Sequence, residues 1–446
     1  MIVASSTRLN VLFGRAAARS AAAHVLRWKG AVIRVEVLVE RCAGLDVGKA
    51  DLKACVRVPG PRGARRQQIK TFATTTGALL ELRQWLIEHQ VTVVGMEATG
   101  DYWKPVYYLL EDAVGGQLLD AAHMRNVPGR KTDVSDAAWI ARLVEHGLVR
   151  ASFVPPPPIR RLRDLTRDRA ALVGERSREK QRMEKLLEDA GIKLSVFVSD
   201  LFGVSGRAML TALVDGERDP RVLAGLAQGR MRPKIPVWVQ ALTGRFGEHH
   251  AFLCRIMLRH IDDLDTAMAQ VTAQIEAEIA PFQDIVDRLD TIPGINQRAA
   301  QVIVAEIGVD MSRFPTAAHL ASWAGMCPGN NESAGKHFSG RTRKGDRWLR
   351  AALGEAAAAG AGAKNTYCQA QYHRLAARRG KKRALVAVGH SILIAAWYII
   401  NDGAVYQDLG PLHFLTRINP ARQTRRLVTQ LQQLGYRVEL NPVRAG

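Results

Sequence analysis

A chain of 446 residues with 63 Lys plus Arg against 42 Asp plus Glu carries a formal charge of +21, and its 47% hydrophobic content is enough for two or three domains with buried cores. So large a positive excess selects a polyanionic partner, nucleic acid first, with an anionic membrane surface as the rival. No apolar run reads as a bilayer span, and the five cysteines (Cys42, Cys55, Cys254, Cys327 and Cys368) include no CxxC pair, which excludes a zinc site or disulfide framework and suits a reducing cytoplasm.

Residues 1–40 contain no acid before Glu36 and read as a basic, disordered extension. From Gly44 the pattern becomes regular. AGLDVGKADLKACVRVP predicts two strands around a tight turn, Ile69 to Ala73 a third, and LLELRQWLIEHQ a helix. VTVVGMEATG, a β-branched run ending on an acid, has the character of a buried central strand. Tyr102 to Asp112 predicts a helix capped by Asp101, and Leu118 to Ala122 another strand. After the basic stretch HMRNVPGRK, the segment KTDVSDAAWIARLVEHG predicts a further helix. This alternation predicts an α/β domain over residues 41–154, closed by the rigid break Pro155 to Pro158.

Residues 155–285 predict a helical region. Ile159 to Ala190 and Ala251 to Ile279 are long charged helices with apolar residues along one face, suited to an antiparallel coiled coil or to joining another subunit, while Gly191 to Gly247 resists assignment. Residues 286–446 predict a mainly α domain. LDTIPGINQRAAQVIVAEIG has the form of a helix-hairpin-helix whose turn, at Gly294, would offer backbone N–H groups to a phosphate. Helices follow from Asp346 to Ala363 and from Lys382 to Ile400, and the tail adds an Arg-rich helix, ARQTRRLVTQLQQLGY, and a last short strand.

Ala324 to Arg350, AGMCPGNNESAGKHFSGRTRKGDRWLR, concentrates glycines and cations before an alanine-rich helix. Glycine admits close approach of backbone N–H groups to an anion, and Lys336, Arg341, Arg343 and Lys344 supply countercharge, as do Arg130 and Lys131 in the first domain. A nucleotide-binding P-loop is excluded, because five residues rather than four separate Gly329 from Gly335 and His337 follows Lys336. A flexible solvated loop is the plain alternative.

Four acids of the first domain form a pattern: Asp46 on the first strand, Glu97 at the end of the central strand, and Asp133 and Asp136 three apart on one helix. Each has an ordinary reading alone, as a turn, cap or first-turn residue. Gathered together they would repel unless neutralised, and hard divalent cations are the natural counterions. Two Mg²⁺ ions about 4 Å apart can hold the attacking and leaving oxygens of a phosphodiester.

The order of these acids resembles the ribonuclease-H-like fold of the Holliday-junction-resolvase type. More specifically, GLDVGK, GMEATGDYW, KTDVSDAAWIARL and the segments around Gly294 and Ser333 resemble the DEDD transposases of bacterial insertion sequences, the bridge-RNA-guided recombinases. The resemblance runs from about Gly44 to the tail. It implies that Asp46, Glu97, Asp133 and Asp136 hold Mg²⁺ and that Ser333 attacks the DNA backbone, becoming joined to a 5′ phosphate. It also implies a composite site across the subunits of a homo-tetramer, double-stranded donor and target DNA, and a bridge guide RNA. The protein is then expected in the bacterial cytoplasm, at the nucleoid. The family's usual Ser-Gly-Gly-Lys string is Ser333-Ala334-Gly335-Lys336 here, and Ser339 is the competing serine. Two other readings remain open: a Mg²⁺-dependent junction-resolving endonuclease that uses water, and a non-catalytic nucleic-acid-binding protein.

Overall fold

A computed structural model describes residues 23–28, 31–98, 100–119, 136–197, 200–329, 331–416 and 420–440. The chain divides into two units, 1–154 and 155–446, at the proline run.

The first unit begins with an antiparallel hairpin, β1 (Ala23–Trp28) and β2 (Ala31–Glu36), inside the stretch expected to be disordered. Alternating apolar and polar residues in AVIRVE suit a strand, and the chain beyond it is tied down by Leu38 and Val39 N–H groups donating to the Glu145 carbonyl. A five-stranded sheet follows. β3 (Cys42–Val47), β4 (Asp51–Pro59) and β5 (Arg65–Ala73) form an antiparallel meander. After α1 (Thr76–Glu88), β6 (Val93–Glu97) lies parallel to β3; after α2 (Trp103–Leu110), β7 (Gly115–Leu119) lies parallel to β6. The strand order is β5-β4-β3-β6-β7.

Side chains alternate across a strand, so each strand feeds both faces. Ala43, Leu45, Val94 and Met96 pack with Leu79, Leu82 and Leu86 of α1 on one face. The other face is covered by α3 (Asp136–Glu145), through Ile140 and Val144 against Cys42 and Leu119. Two expectations shift here. Asp101 does not cap α2, whose N-cap is Tyr102; its carboxylate instead pairs with Lys104 at 3.0 Å. The strand expected at Leu118–Ala122 starts earlier, because Gly115 to Leu119 pair with β6.

The second unit opens with α4 (Pro157–Asp189), so the proline run ends inside a helix: Pro at the first helical positions lacks only a donor that has no partner there. Four short helices follow, α5 (Leu194–Phe197), α6 (Val204–Val214), α7 (Pro220–Gly225) and α8 (Ile235–Ala241), closing a core around the buried Trp238. This small helical cap is the segment the sequence left unassigned. α9 (Glu248–Ile279) then returns along α4. The ion pairs Arg161–Glu278, Arg176–Asp265 and His250–Asp189 progress in opposite senses on the two helices, which makes the expected coiled-coil pair antiparallel.

The helical domain comprises α10 (Gln283–Asp290), α11 (Gln297–Ile307) and α12 (Ala317–Trp323), then a hairpin of β8 (Asn331–Ser333) and β9 (Lys336–Ser339). α13 (Arg347–Gly362), α14 (Tyr367–Arg379), α15 (Lys381–Asp402), α16 (His413–Thr416) and α17 (Pro420–Gln433) complete it. Contrary to the sequence reading, α15 is long and apolar enough to cross a membrane. Here it is a core helix packed on α10, α12, α13 and α14, with Val388, Ile392, Leu393 and Ala396 buried and the Trp397 indole N–H donating to the Phe314 carbonyl at 2.9 Å. The last short strand is not found: Tyr436–Leu440 form no regular element.

Candidate functional site

In the first unit, two glycines settle where the acids go. A Cβ on Gly44 would lie 2.2 Å from the Ala137 carbonyl oxygen, and one on Gly95 would lie 2.5 Å from Val144, so both positions face α3 at close range. Asp46 and Glu97 are two residues further along the same strands and therefore lie on that same face. The parallel register Leu45↔Met96 puts Asp46 beside Glu97 at the C-terminal ends of β3 and β6. α3 runs against β3, since Ala137 and Ala141 sit over Gly44 and the Cys42 thiol donates to the Ala141 carbonyl. Its first residue, Asp136, is thereby brought toward Asp46.

Three of the four expected carboxylates are thus placed at one end of the sheet, each partly exposed, without being drawn together into a closed cluster among the described residues. Asp133, Arg130 and Lys131 lie outside the described residues. The side chains offer the kind of donor a hard divalent metal takes, since all three are partly exposed carboxylates, two on the ends of a parallel strand pair and one on the first residue of α3. At the far end of α3, fully buried Glu145 accepts from Arg57 at 3.0 Å and Arg65 at 2.5 Å, tying the helix to the β4–β5 hairpin.

In the second unit, the basic stretch is a built arm rather than a loose loop. Pro328 and Thr342 form an antiparallel bridge, Gly329 N–H donates to the Arg341 carbonyl at 3.0 Å, and β8 pairs with β9. Ser333 closes β8 opposite Lys336, with Ala334 (φ 49°) and Gly335 (φ 74°) as the two-residue turn. Positive φ at both positions is the requirement of a type I′ turn. Ser333, Lys336, Arg341, Arg343 and Lys344 are all exposed. Ser339 is engaged differently: its hydroxyl accepts from the Arg341 N–H at 3.1 Å. Alanine in the left-handed region costs about 1–2 kcal/mol, partly offset by the entropy glycine would lose. Ala334→Gly is therefore expected to tighten the hairpin, read as slower amide exchange at Ser333 to Lys336.

The arm's base carries residues that sequence reasoning missed. Arg167 of α4 donates to Glu306 of α11 through Nε at 2.8 Å and Nη2 at 2.7 Å, and Nη2 also reaches Asp346 Oδ2 at 3.2 Å. Asp346 Oδ1 caps α13 by accepting from Trp348 N at 2.9 Å and Leu349 N at 2.8 Å, as expected of that position. Arg350 holds the returning chain, donating to the Arg343 carbonyl at 3.1 Å. Burial pushes the Glu306 carboxyl upward, against the pull of Arg167 and Arg163. No local signal distinguishes Arg167 among the many arginines of α4. Glu306→Gln is expected to cost about 3–5 kcal/mol, because it removes the charge of a fully buried carboxylate that accepts from Arg167 and pairs with Arg163. Urea unfolding followed by circular dichroism measures it.

Gly294, the expected phosphate contact, lies in the α10–α11 turn at φ 97°, where a Cβ would fall 2.2 Å from the Ala356 carbonyl oxygen of α13. Helix packing accounts for this glycine by itself. Asn296 caps α11 by accepting from Ala299 N at 2.9 Å, and Arg298 beside it is exposed.

Two other candidate chemistries fall away. Burial raises the thiol of Cys42 to about 12 and those of Cys55, Cys254 and Cys368 to about 11, so none of these four is a thiolate at neutral pH. Asp189, His249 and His250 cluster with metal-ligand spacing. His250, however, accepts from Gly247 N–H at Nδ1 and faces Asp189 at Nε2, 3.1 Å away, so one ring nitrogen caps α9 and the other ties it to the end of α4.

These features define a class: a basic two-part protein with carboxylates gathered at the end of an α/β sheet in one part and an exposed serine on a cationic hairpin in the other. The chain is similar to the transposase IS116/IS110/IS902 family. The model of that description matches residues 286–374, and a second transposase model, of the DEDD type, matches residues 43–192. A relative from Streptomyces coelicolor, an uncharacterized 43.6 kDa protein of insertion element IS110, is 32% identical over 146 residues, covering 32% of this chain and 34% of the relative. The match thus spans about a third of that relative's length.

Proposed function

We propose that this protein is a DNA transposase that cuts and rejoins strands through a covalent 5′-phosphoserine at Ser333. The observation that carries this reading is the coincidence of both family matches with the two candidate chemistries: residues 43–192 hold Asp46, Glu97, Asp133 and Asp136, and residues 286–374 hold Ser333 and the cationic arm. Of the two arm serines, Ser333 is the one at the turn of the hairpin, and Ser339 Oγ already accepts a backbone bond. The meander followed by two parallel strands, with acids at the strand ends, supports a ribonuclease-H-like assignment for the first unit.

In this mechanism Ser333 Oγ attacks a backbone phosphorus. The Oγ–P bond forms as the P–O3′ bond breaks; the serine proton is given up to base and the departing 3′ oxygen takes one up. Attack by the 3′ hydroxyl of another strand reverses the step and rejoins DNA without an external energy source. Lys336, Arg341, Arg343 and Lys344 hold the non-bridging oxygens and the flanking backbone, and Arg298 beside the Gly294 turn extends the phosphate-binding surface. Arg130 and Lys131 add cations next to the acidic end. Asp46, Glu97, Asp133 and Asp136 would hold Mg²⁺, two ions by the number of carboxylates, which would supply charge neutralisation at the reacting phosphate.

Serine and acids lie in separate units, so the reading requires a composite site, and the resemblance to the DEDD transposases implies that subunits of a homo-tetramer assemble it. Sequence choice falls to a bridge RNA by base pairing, because the arm's contacts are of the phosphate-positioning kind. The test is to incubate the protein, with the RNA that co-purifies from its host, on a nicked duplex that traps the intermediate. A DNA adduct on the peptide containing Ser333 is expected. Cleavage with no adduct would instead favour the water-using nuclease.

A further inference from the structure

The arm carries one large apolar side chain that the chemistry above leaves unused. Phe338, on β9, has 65% of its surface exposed. The register passes from Glu332↔His337 to Asn331↔Ser339, one step on β8 against two on β9, so Phe338 is the extra residue of a β-bulge. A bulged residue drops out of the ladder, and bulges beside functional sites re-aim a side chain. Single exposed apolar residues are ordinary on a protein surface, so exposure alone means little. Position is what distinguishes this one. Phe338 stands two residues from Lys336, the register partner of Ser333, among exposed cations that attract phosphates. Two residues of extended strand span about 6–7 Å, roughly two base steps at about 3.4 Å each. A strand with a phosphate at Ser333 therefore brings a base within reach of the phenyl ring.

We infer that Phe338 is a base-stacking residue, its ring packing on the face of an unstacked nucleobase one or two nucleotides from the phosphate held at Ser333. Every base has a π-face, so this contact sets the position of the strand along the arm without reading its sequence. The inference rests on the Ser333 reading for where the phosphate lies, and not for what then happens to it.

The experiment uses the full-length protein carrying Ser333→Ala and a nicked duplex with 5-iodouracil on either side of the nick. After irradiation and tryptic digestion, a cross-link at Phe338 within the peptide His337–Arg341 is expected. Phe338→Ala should weaken binding of the same duplex by about 5- to 100-fold, the range of one lost aromatic–base stack. Phe338→Tyr should restore it, and the unfolding midpoint should not move, since the side chain is exposed. Cross-links confined to other peptides, together with Phe338→Ala binding within twofold of the parent, would overturn the proposal. If the Ser333→Ala protein cuts DNA while the Phe338 cross-link persists, the nucleophile reading fails and the stacking contact stands.

Discussion

Ser333→Ala is expected to abolish DNA strand cleavage and the covalent adduct together, by at least about a thousandfold. In the proposed mechanism the hydroxyl oxygen is the atom that forms the new bond to phosphorus, and removing a nucleophile that works with its surroundings as one unit can cost on the order of a millionfold. The fold gives no competing explanation for such a loss: Ser333 is exposed at the end of β8, where small surface substitutions stay within about 0.5 kcal/mol. Ser333→Ala should therefore bind DNA and unfold like the parent while failing in single-turnover cleavage. Ser339→Ala is the matched control and should cleave, since that hydroxyl serves the turn at Arg341. Retained cleavage by Ser333→Ala would move the reaction to water and make the protein a junction-resolving nuclease.

Asp46→Asn and Glu97→Gln carry the second large effect. Each amide keeps the shape of its carboxylate, so the ends of β3 and β6 should be undisturbed, but each removes one negative charge from the set proposed to hold Mg²⁺. Charge stabilisation by a bound metal is worth several kcal/mol, and about 1.4 kcal/mol is a factor of ten, so cleavage should fall on the order of a thousandfold. DNA affinity measured in EDTA should stay within a few-fold, because the binding cations lie on other residues. Isothermal titration with Mg²⁺ should show the binding heat of the parent lost in both variants. Full cleavage activity in either variant would make that acid structural and remove it from the metal-holding set.

Asp46, Glu97 and Asp136 were legible because each lies at or next to the end of a regular element, and such positions show in a pattern of two or 3.6 residues. Their placement on one face at one end of the sheet was not, since it depends on Gly44 and Gly95 both facing α3, and a glycine in a strand has several other meanings. The arm illustrates the reverse error. Its glycines and cations suggested a loop, yet Ala334 and Gly335 at positive φ make a two-residue turn and the flanking residues pair as strands. α14 went unpredicted because its polar, Arg-rich sequence has little apolar periodicity, although Cys368 and Gln371 are buried within it. α15 was read correctly as a helix but not as one of membrane-spanning length and apolarity, a property it shares with core helices covered on several sides.

The sequence alone determined the division at the proline run, the two long charged helices and the order of the acids, and through the family resemblance it singled out the candidate serine. All of these rest on local spacing or on motifs continuous in the chain. Tertiary structure decided what depends on distant residues meeting. It put Asp46, Glu97 and Asp136 at one end of a sheet, gave Gly294 a packing role against α13, and clamped the base of the serine arm through Arg167, Glu306 and Asp346. Those three residues are separated by 139 and 40 positions in the chain, and no periodicity encodes a contact of that range.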